Sequence, residues 1–302
     1  MKKNIAFLIL MISTTIAQAE LVIQKISDQI YALVGETTQR SPTNFGNNST
    51  HGVIITNEGV MLVDSGASYL GAQEIHRAIQ TLTDQPIKIV INSGGQDHRW
   101  LGNDYFLKLG ARIIASDKTR QDQQARVDYH LDRLGGLIKQ SLDGTVPVFA
   151  KQTFDESLKL NLGGVNLELY HFGPAHTVGD IVLWLPSEQV MFTGDVVFND
   201  RMLGVGPARN IRSWIEVFDK MATFKPKYIV PGHGKVSDLP TATKNTQAYL
   251  KFLEAEIAKV LDNDGDMIDA SRIDQSKFHF LSGHESIAAR NAQWVYEQFE
   301  FD

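Results

Sequence analysis

The chain has 302 residues, 43% of them hydrophobic and 21% charged, with a formal net charge of −6. This is the composition of an ordinary globular protein with enough apolar material for a large core. Its acidity and its lack of a long basic run exclude nucleic acid as a partner, because phosphates demand clustered lysine and arginine. There is no cysteine, so disulfides and a lipid-modified cysteine are excluded, and any metal must be held by histidine, aspartate or glutamate.

Residues 1–19 read as an export signal: Lys2 and Lys3 precede an apolar run from Ile5 to Ile16, and Ala17-Gln18-Ala19 supplies the small-x-small cleavage pattern. The run is too short to span a bilayer, so no stable membrane anchor is expected. Residues 20–302 are then the mature chain, expected in the periplasm or secreted, as one globular unit that closes with helices.

Taken in order, residues 21–26 and 29–34 alternate as two short strands about Ser27-Asp28. Residues 35–50 are rich in Thr, Ser, Pro and Asn. They predict a mobile surface loop, either a linker or a flap whose Phe45 closes over a substrate. Residues 52–56 and 60–64 flank Asn57-Glu58-Gly59, a hairpin signal. Apolar spacing at Ala72, Ile75, Ile79 and Leu82 predicts a helix over 69–82.

An apolar run over 87–91 comes next and gives way to Gly94, Gly95 and the pair Asp97-His98, followed by a helix from Asn103. A strand, a glycine-rich turn, a polar pair and a helix make a loop that builds sites, because residues just past a strand's carboxyl end project into a crevice. Residues 112–115 predict a buried strand and 117–141 a long helical stretch whose Tyr129, His130, Leu131 and Leu134 pack. Gly163-Gly164 marks a second hairpin, with His171 in a structural role. The polar loop 172–179 then precedes a strand over 181–185.

Three further polar residues repeat the theme of strand end and glycine turn: His176 in GPAHTVG, Asp195 after Gly194, and His233 in PGHG. A helix over 211–224 separates the last two, after an irregular loop at 199–210. Beyond Leu239 the chain reads as helical, interrupted by a polar turn at 262–266 that lacks the acidic spacing of a calcium loop. Asp97, His98, His176, Asp195 and His233 are thus five candidate ligands at strand ends. Imidazole and carboxylate together suit zinc, with iron or manganese as alternatives.

The series Asp64 in VDSG, Asp97-His98 in QDHRWLGN, His176 in GPAHTVGD, Asp195 in FTGD and His233 in PGHG resembles the metallo-β-lactamase superfamily in order and separation. The resemblance implies an α/β, four-layer αββα sandwich of two similar halves with metal at the sheet edges. The family's H-x-H-x-D-H motif is degenerate here, since its six positions read Ser93, Gly94, Gly95, Gln96, Asp97 and His98. By the resemblance, the first metal site keeps only His176, whereas Asp97, His98 and His233, with Asp195 bridging in many members, hold the second.

The expectation is a hydrolase using one zinc ion, whose bound hydroxide attacks an ester, thioester, lactam or sulfate-type bond of a small-molecule substrate. Asp97 would orient that hydroxide, and His176 would serve as general base or bond the tetrahedral intermediate. Ser93 and Gln96 are candidate oxyanion or water partners. The alternative is a binding or accessory protein on the same scaffold that has lost turnover, for example in periplasmic sulfur or quinoprotein metabolism.

Overall fold

The computed structural model describes residues 20–206 and 210–301; the expected export signal lies outside them. The first half of the chain builds a seven-stranded sheet in sequence order. Four antiparallel strands open it: β1 (Val22–Lys25), β2 (Ile30–Val34), β3 (Thr50–Thr56) and β4 (Gly59–Val63). Helix α1 (Tyr69–Gln80) starts where Ser68 accepts a hydrogen bond from the Gly71 amide, and it crosses to the parallel strand β5 (Ile87–Ile91). Two short helices, α2 (Asp97–Trp100) and α3 (Asn103–Lys108), then lead to β6 (Arg112–Ser116), and α4 (Asp117–Ile138) leads to β7 (Gln152–Phe154). Strand β7 is absent from the sequence reading because three residues are too few for an alternation to show.

The second half builds a five-stranded sheet from β8 (Ser157–Leu162), β9 (Val165–Tyr170), β10 (Val182–Leu185), β11 (Val190–Phe198) and β12 (Tyr228–His233). Helix α5 (Ile211–Ala222) makes the parallel crossover between β11 and β12. The remaining helices are α6 (Leu239–Ala242), α7 (Ala248–Asp262), α8 (Met267–Ser271) and α9 (His284–Glu300). The turn at 262–266 joins α7 to α8, with Asp266 capping the second.

Three packed interfaces make four layers. Ile54, Met61, Ile89 and Ile91 of the first sheet meet Leu167, Leu183, Phe192 and Val230 of the second. Outside the first sheet, Ile75, Ile79 and Phe106 cover Val60, Leu62 and Val90. Outside the second, Trp214, Phe218, Leu250, Leu253 and Val295 cover Met191 and Ile229. The sheets press closely enough that a Cβ at Gly52 would stand 2.4 Å from the Phe192 ring, which requires glycine there.

Two expectations are corrected. The loop 35–50 is packed against the protein over much of its length rather than lying on the surface: Arg40, Asn44 and the run from Asn47 to Thr50 are buried, and the Phe45 carbonyl accepts from the Ser68 hydroxyl. Asp195, expected at a strand end beside a glycine turn, lies within β11, which continues to Phe198 past an irregular register at Gly194.

One buried residue ties the sheets together. The Arg99 guanidinium, with no exposed surface, donates from Nη1 to Asp64 Oδ2 at 2.9 Å and Thr50 O at 3.2 Å on the first-sheet side. On the second-sheet side Nη2 donates to Asp195 Oδ1 at 2.5 Å and Gly232 O at 2.8 Å, and Nε to Asp195 Oδ2 at 3.2 Å. All five N–H donors of the fork are used. Asp64 itself lies in the left-handed region at φ 68, a costly position for a side-chain-bearing residue, held there by Arg99 and by Ser93.

Replacing Arg99 by Met should leave two buried carboxylates without a counter-charge and cost about 3–5 kcal/mol, read as a lower urea midpoint. Lys at the same position should not rescue it, because one ammonium cannot supply the forked bonds. A second test concerns His130 on α4, which is fully buried with neither ring nitrogen hydrogen-bonded. Burial pushes its pKa down to about 4, so the folded protein holds it neutral. Its contribution is therefore complete above the ordinary histidine pKa of about 6.5 and is lost as pH falls towards 4. His130→Leu should flatten that part of the pH–stability curve by up to about 3 kcal/mol.

Candidate metal centre

Each polar residue of the site is delivered by an element whose end faces the same crevice. His98 sits in α2, just past β5; Asp195 lies in β11, after the bend at Gly194, whose φ is +48. His233 ends β12, and His176 lies in the loop between β9 and β10. The glycine before His233 is required by contact: a Cβ at Gly232 would stand 2.5 Å from Arg99 Nη2 and 2.6 Å from Asp195 Oδ1.

Asp195 is the hub. Its Oδ2 lies 3.2 Å from His98 Nε2 and 3.5 Å from His176 Nδ1, and its Oδ1 lies 3.3 Å from His233 Nε2. Burial alone would raise the Asp195 pKa, but Arg99, His98 and His176 together hold it well below the ordinary carboxylate range. His233 is pushed down to about 3 by burial against the opposing pull of Asp195, so its ring is neutral at neutral pH. Its Nδ1 donates to Asn48 O at 2.8 Å, which turns the Nε2 lone pair into the site.

The donor set fits a divalent cation. Ligand atoms of His98, Asp195 and His233 lie within 4.8 Å of one another, and all three residues are buried. His98 Nε2 is buried without a hydrogen bond, as a nitrogen reserved for a metal would be. Asp64 and Asp195 share the single Arg99 guanidinium; burial outweighs Arg99 and pushes the Asp64 pKa up, so the ionised carboxylate beneath the histidines is Asp195.

Asp97 stands apart from this set. Its Oδ1 takes an ion pair from Arg40 Nη2 at 2.7 Å and lies 3.1 Å from His98 Nδ1. Burial opposes ionisation of Asp97, but Arg40 and His98 outweigh it and keep the carboxyl well below its usual range. Arg40 Nη2 also stands 2.5 Å from His98 Nδ1. Two tautomers of His98 therefore compete. Donation from Arg40 places the proton on Nε2, while donation from Nδ1 to Asp97 frees Nε2, and a cation at Nε2 selects the second.

The positions of the two missing histidines are filled. Ser93 donates its amide and its hydroxyl to Asp64 Oδ1 and Oδ2, both at 2.7 Å. That hydroxyl, expected as an oxyanion or water partner, is engaged with Asp64. A Cβ at Gly95 would meet Asp122 Oδ2 at 1.8 Å and Arg126 Nη2 at 3.1 Å, so the Asp122–Arg126 ion pair occupies the space of the second histidine. Gln96 faces the cavity, with its Oε1 3.4 Å from Arg126 Nη1.

The cavity over the site has a volume of about 620 Å³ and is reached by His98, His176 and His233. Sequence reasoning missed Arg40, Asn48, Arg99 and Arg126. Only Arg99 carried a signal, as a charged residue directly after the Asp97-His98 pair. Nothing local distinguishes an arginine that will be buried from one that will be solvated.

The sequence profile described as "Metallo-beta-lactamase superfamily" matches residues 46–233. A metallo-β-lactamase type 2 of Bacteroides fragilis is 28% identical over 106 residues, 34% of this chain and 43% of that protein. The 2,4-dinitroanisole O-demethylase subunit alpha of a Nocardioides species is 27% identical over 178 residues, 58% of this chain and 49% of that one. The chain thus spans about half the length of these two curated relatives. Among solved structures, a metallo-β-lactamase from Pontibacter korlensis superposes with a TM-score of 0.62 at 22% identity, over 77% of this chain and 99% of that one. The profile match, the two packed sheets between helices and the ligand-bearing strand ends agree: this chain belongs to the metallo-β-lactamase superfamily.

Proposed function

We propose that the protein is a metallo-hydrolase that works with one zinc ion, held by His98, Asp195 and His233. The observation that carries this reading is the convergence of those three buried groups beside a first-site region already filled by Ser93, Asp122 and Arg126. Imidazole and carboxylate donors without cysteine favour zinc in an open, catalytic arrangement over a closed structural one, with iron or manganese as substitutes. When bound, such an ion supplies a Lewis acid and acidifies a coordinated water to a pKa of about 7.

The chain's own residues supply the rest. Arg99 holds Asp195 in place from below, and Asn48 fixes the His233 tautomer. His176, on the cavity side of Asp195, is placed to take or return a proton during attack on an acyl or related ester bond. Asp97 acts through Arg40 and His98 by setting the His98 proton, with no direct place among the three converging ligands. Gln96 faces the cavity as a polar partner for the substrate. The proposed location is the periplasm or the medium outside the cell, on the reading of residues 1–19 as an export signal.

The test is metal content together with turnover of a chromogenic β-lactam, a thioester and an aryl ester. About one zinc per chain is expected, with activity abolished by chelator and both zinc and activity lost in His233→Ala. A folded protein that takes up no metal and turns over none of these substrates would leave the accessory-protein reading in its place. The filled first site has its own test. Ser93→His/Gly95→His should still bind about one zinc, and a second ion should enter only when Asp122 and Arg126 are also cut back to Ala.

A further inference from the structure

The cavity above the metal centre is strongly basic in a chain whose net charge is −6. Arg40, Arg126, Arg133, Arg201 and Arg290 line it, against a single carboxylate, Asp122. They arrive from four separate parts of the chain: the loop after β2, helix α4, the stretch after β11, and helix α9. Arg126 and Arg133 are seven residues apart on α4 and so share a face. No lysine takes part, and arginine is the side chain whose planar fork matches carboxylate, sulfate and phosphate groups.

Two of the five are neutralised internally, Arg126 by Asp122 and Arg40 by Asp97. Arg133, Arg201 and Arg290 form no ion pair with a carboxylate among the described residues. Arg201 spends Nη1 on the carbonyls of Thr37 and Thr38, and burial together with the neighbouring Arg40 pushes its pKa down to about 10. Arg40, buried at 7% exposure, keeps Nε without a partner. Like charges gathered at one cavity and partly withheld from water repel one another, and an anion relieves that repulsion. Between the arginines lie Val178, Met202, Ile287 and Trp294, an apolar wall for a ring or short hydrocarbon body.

Resting on the hydrolase reading above, we propose that this cavity selects substrates carrying two anionic groups on a compact apolar body, which Arg133, Arg201 and Arg290 hold while the scissile bond faces the metal centre.

The test uses phthalate, an aromatic dianion, and its neutral isostere phthalamide, titrated calorimetrically into the zinc-loaded mature chain at low and high salt. Saturable phthalate binding that weakens with salt is expected, with no measurable phthalamide binding. The Arg133→Ala/Arg290→Ala variant, altered at two exposed positions, should keep its melting temperature and bind phthalate at least about tenfold more weakly. Equal binding of phthalamide, absence of phthalate binding, or unchanged affinity in the double variant would overturn the proposal. The titration is repeated on zinc-free protein. Arginine-dependent phthalate binding there, in a chain that shows no turnover when zinc is restored, would uphold the anion site while rejecting the hydrolase reading; binding seen only with zinc and insensitive to the double variant would reject the anion site alone.

Discussion

A single guanidinium, that of Arg99, is the constraint on which the site depends. It lies in the seam where the two sheets meet and uses every donor it has, towards Asp64 and Thr50 on one side and Asp195 and Gly232 on the other. Burying one cation between two carboxylates is costly unless the hydrogen bonding is complete, and here it is. The arrangement does more than hold the halves together. It orients Asp195 through two bonds, so that the carboxylate presents its remaining capacity to three imidazoles at 3.2 to 3.5 Å. It also keeps Asp195 ionised beneath the histidines, which favours a cation above it.

From that floor outward, the sign of the charge changes. Asp64 and Asp195 lie deepest, the histidines form the next level, and arginines from both halves surround the opening. Arg40 links the levels, since one nitrogen of its guanidinium touches both Asp97 and His98. An acidic floor suits a metal ion and a basic mouth suits an anion, so the same crevice distinguishes the two along its depth. The loss of two histidines from the first metal site belongs to this pattern. Their space holds an ion pair and a serine bound to Asp64.

Much of the architecture was legible from the chain alone. The hairpin at Asn57-Glu58-Gly59, the α1 spacing and the strand before Asp97-His98 fall where the pattern placed them. What failed to show was either too short, as β7, or dependent on a partner far away. Strand β11 outruns its expected end because β12 continues to pair with it through the bend at Gly194. The loop 35–50 reads as solvent-exposed because it is polar, yet several of its polar groups are answered by protein: Asn47 bonds Gly71 O, Asn48 O receives the bond from His233, and Thr50 bonds Gly234 O. Composition reports polarity, and only packing decides whether water or protein answers it.

The sequence by itself determined the kind of protein this is. Period and turn chemistry are local, so strands, helices and their order could be read from neighbours along the chain. The motif order around Asp64, Asp97-His98, His176, Asp195 and His233 carried the family, because ligand residues at successive strand ends form a pattern along the chain. The tertiary structure alone decided which of those residues converge. Asp195 is brought to His98 and His233, Asp97 is turned to Arg40, and Ser93 is drawn to Asp64. Arginines spread from position 40 to 290 become one cavity wall. Each of these outcomes depends on charges that are distant in sequence and within a few ångströms in space, where burial sharpens every interaction; that proximity exists only once the sheets have packed.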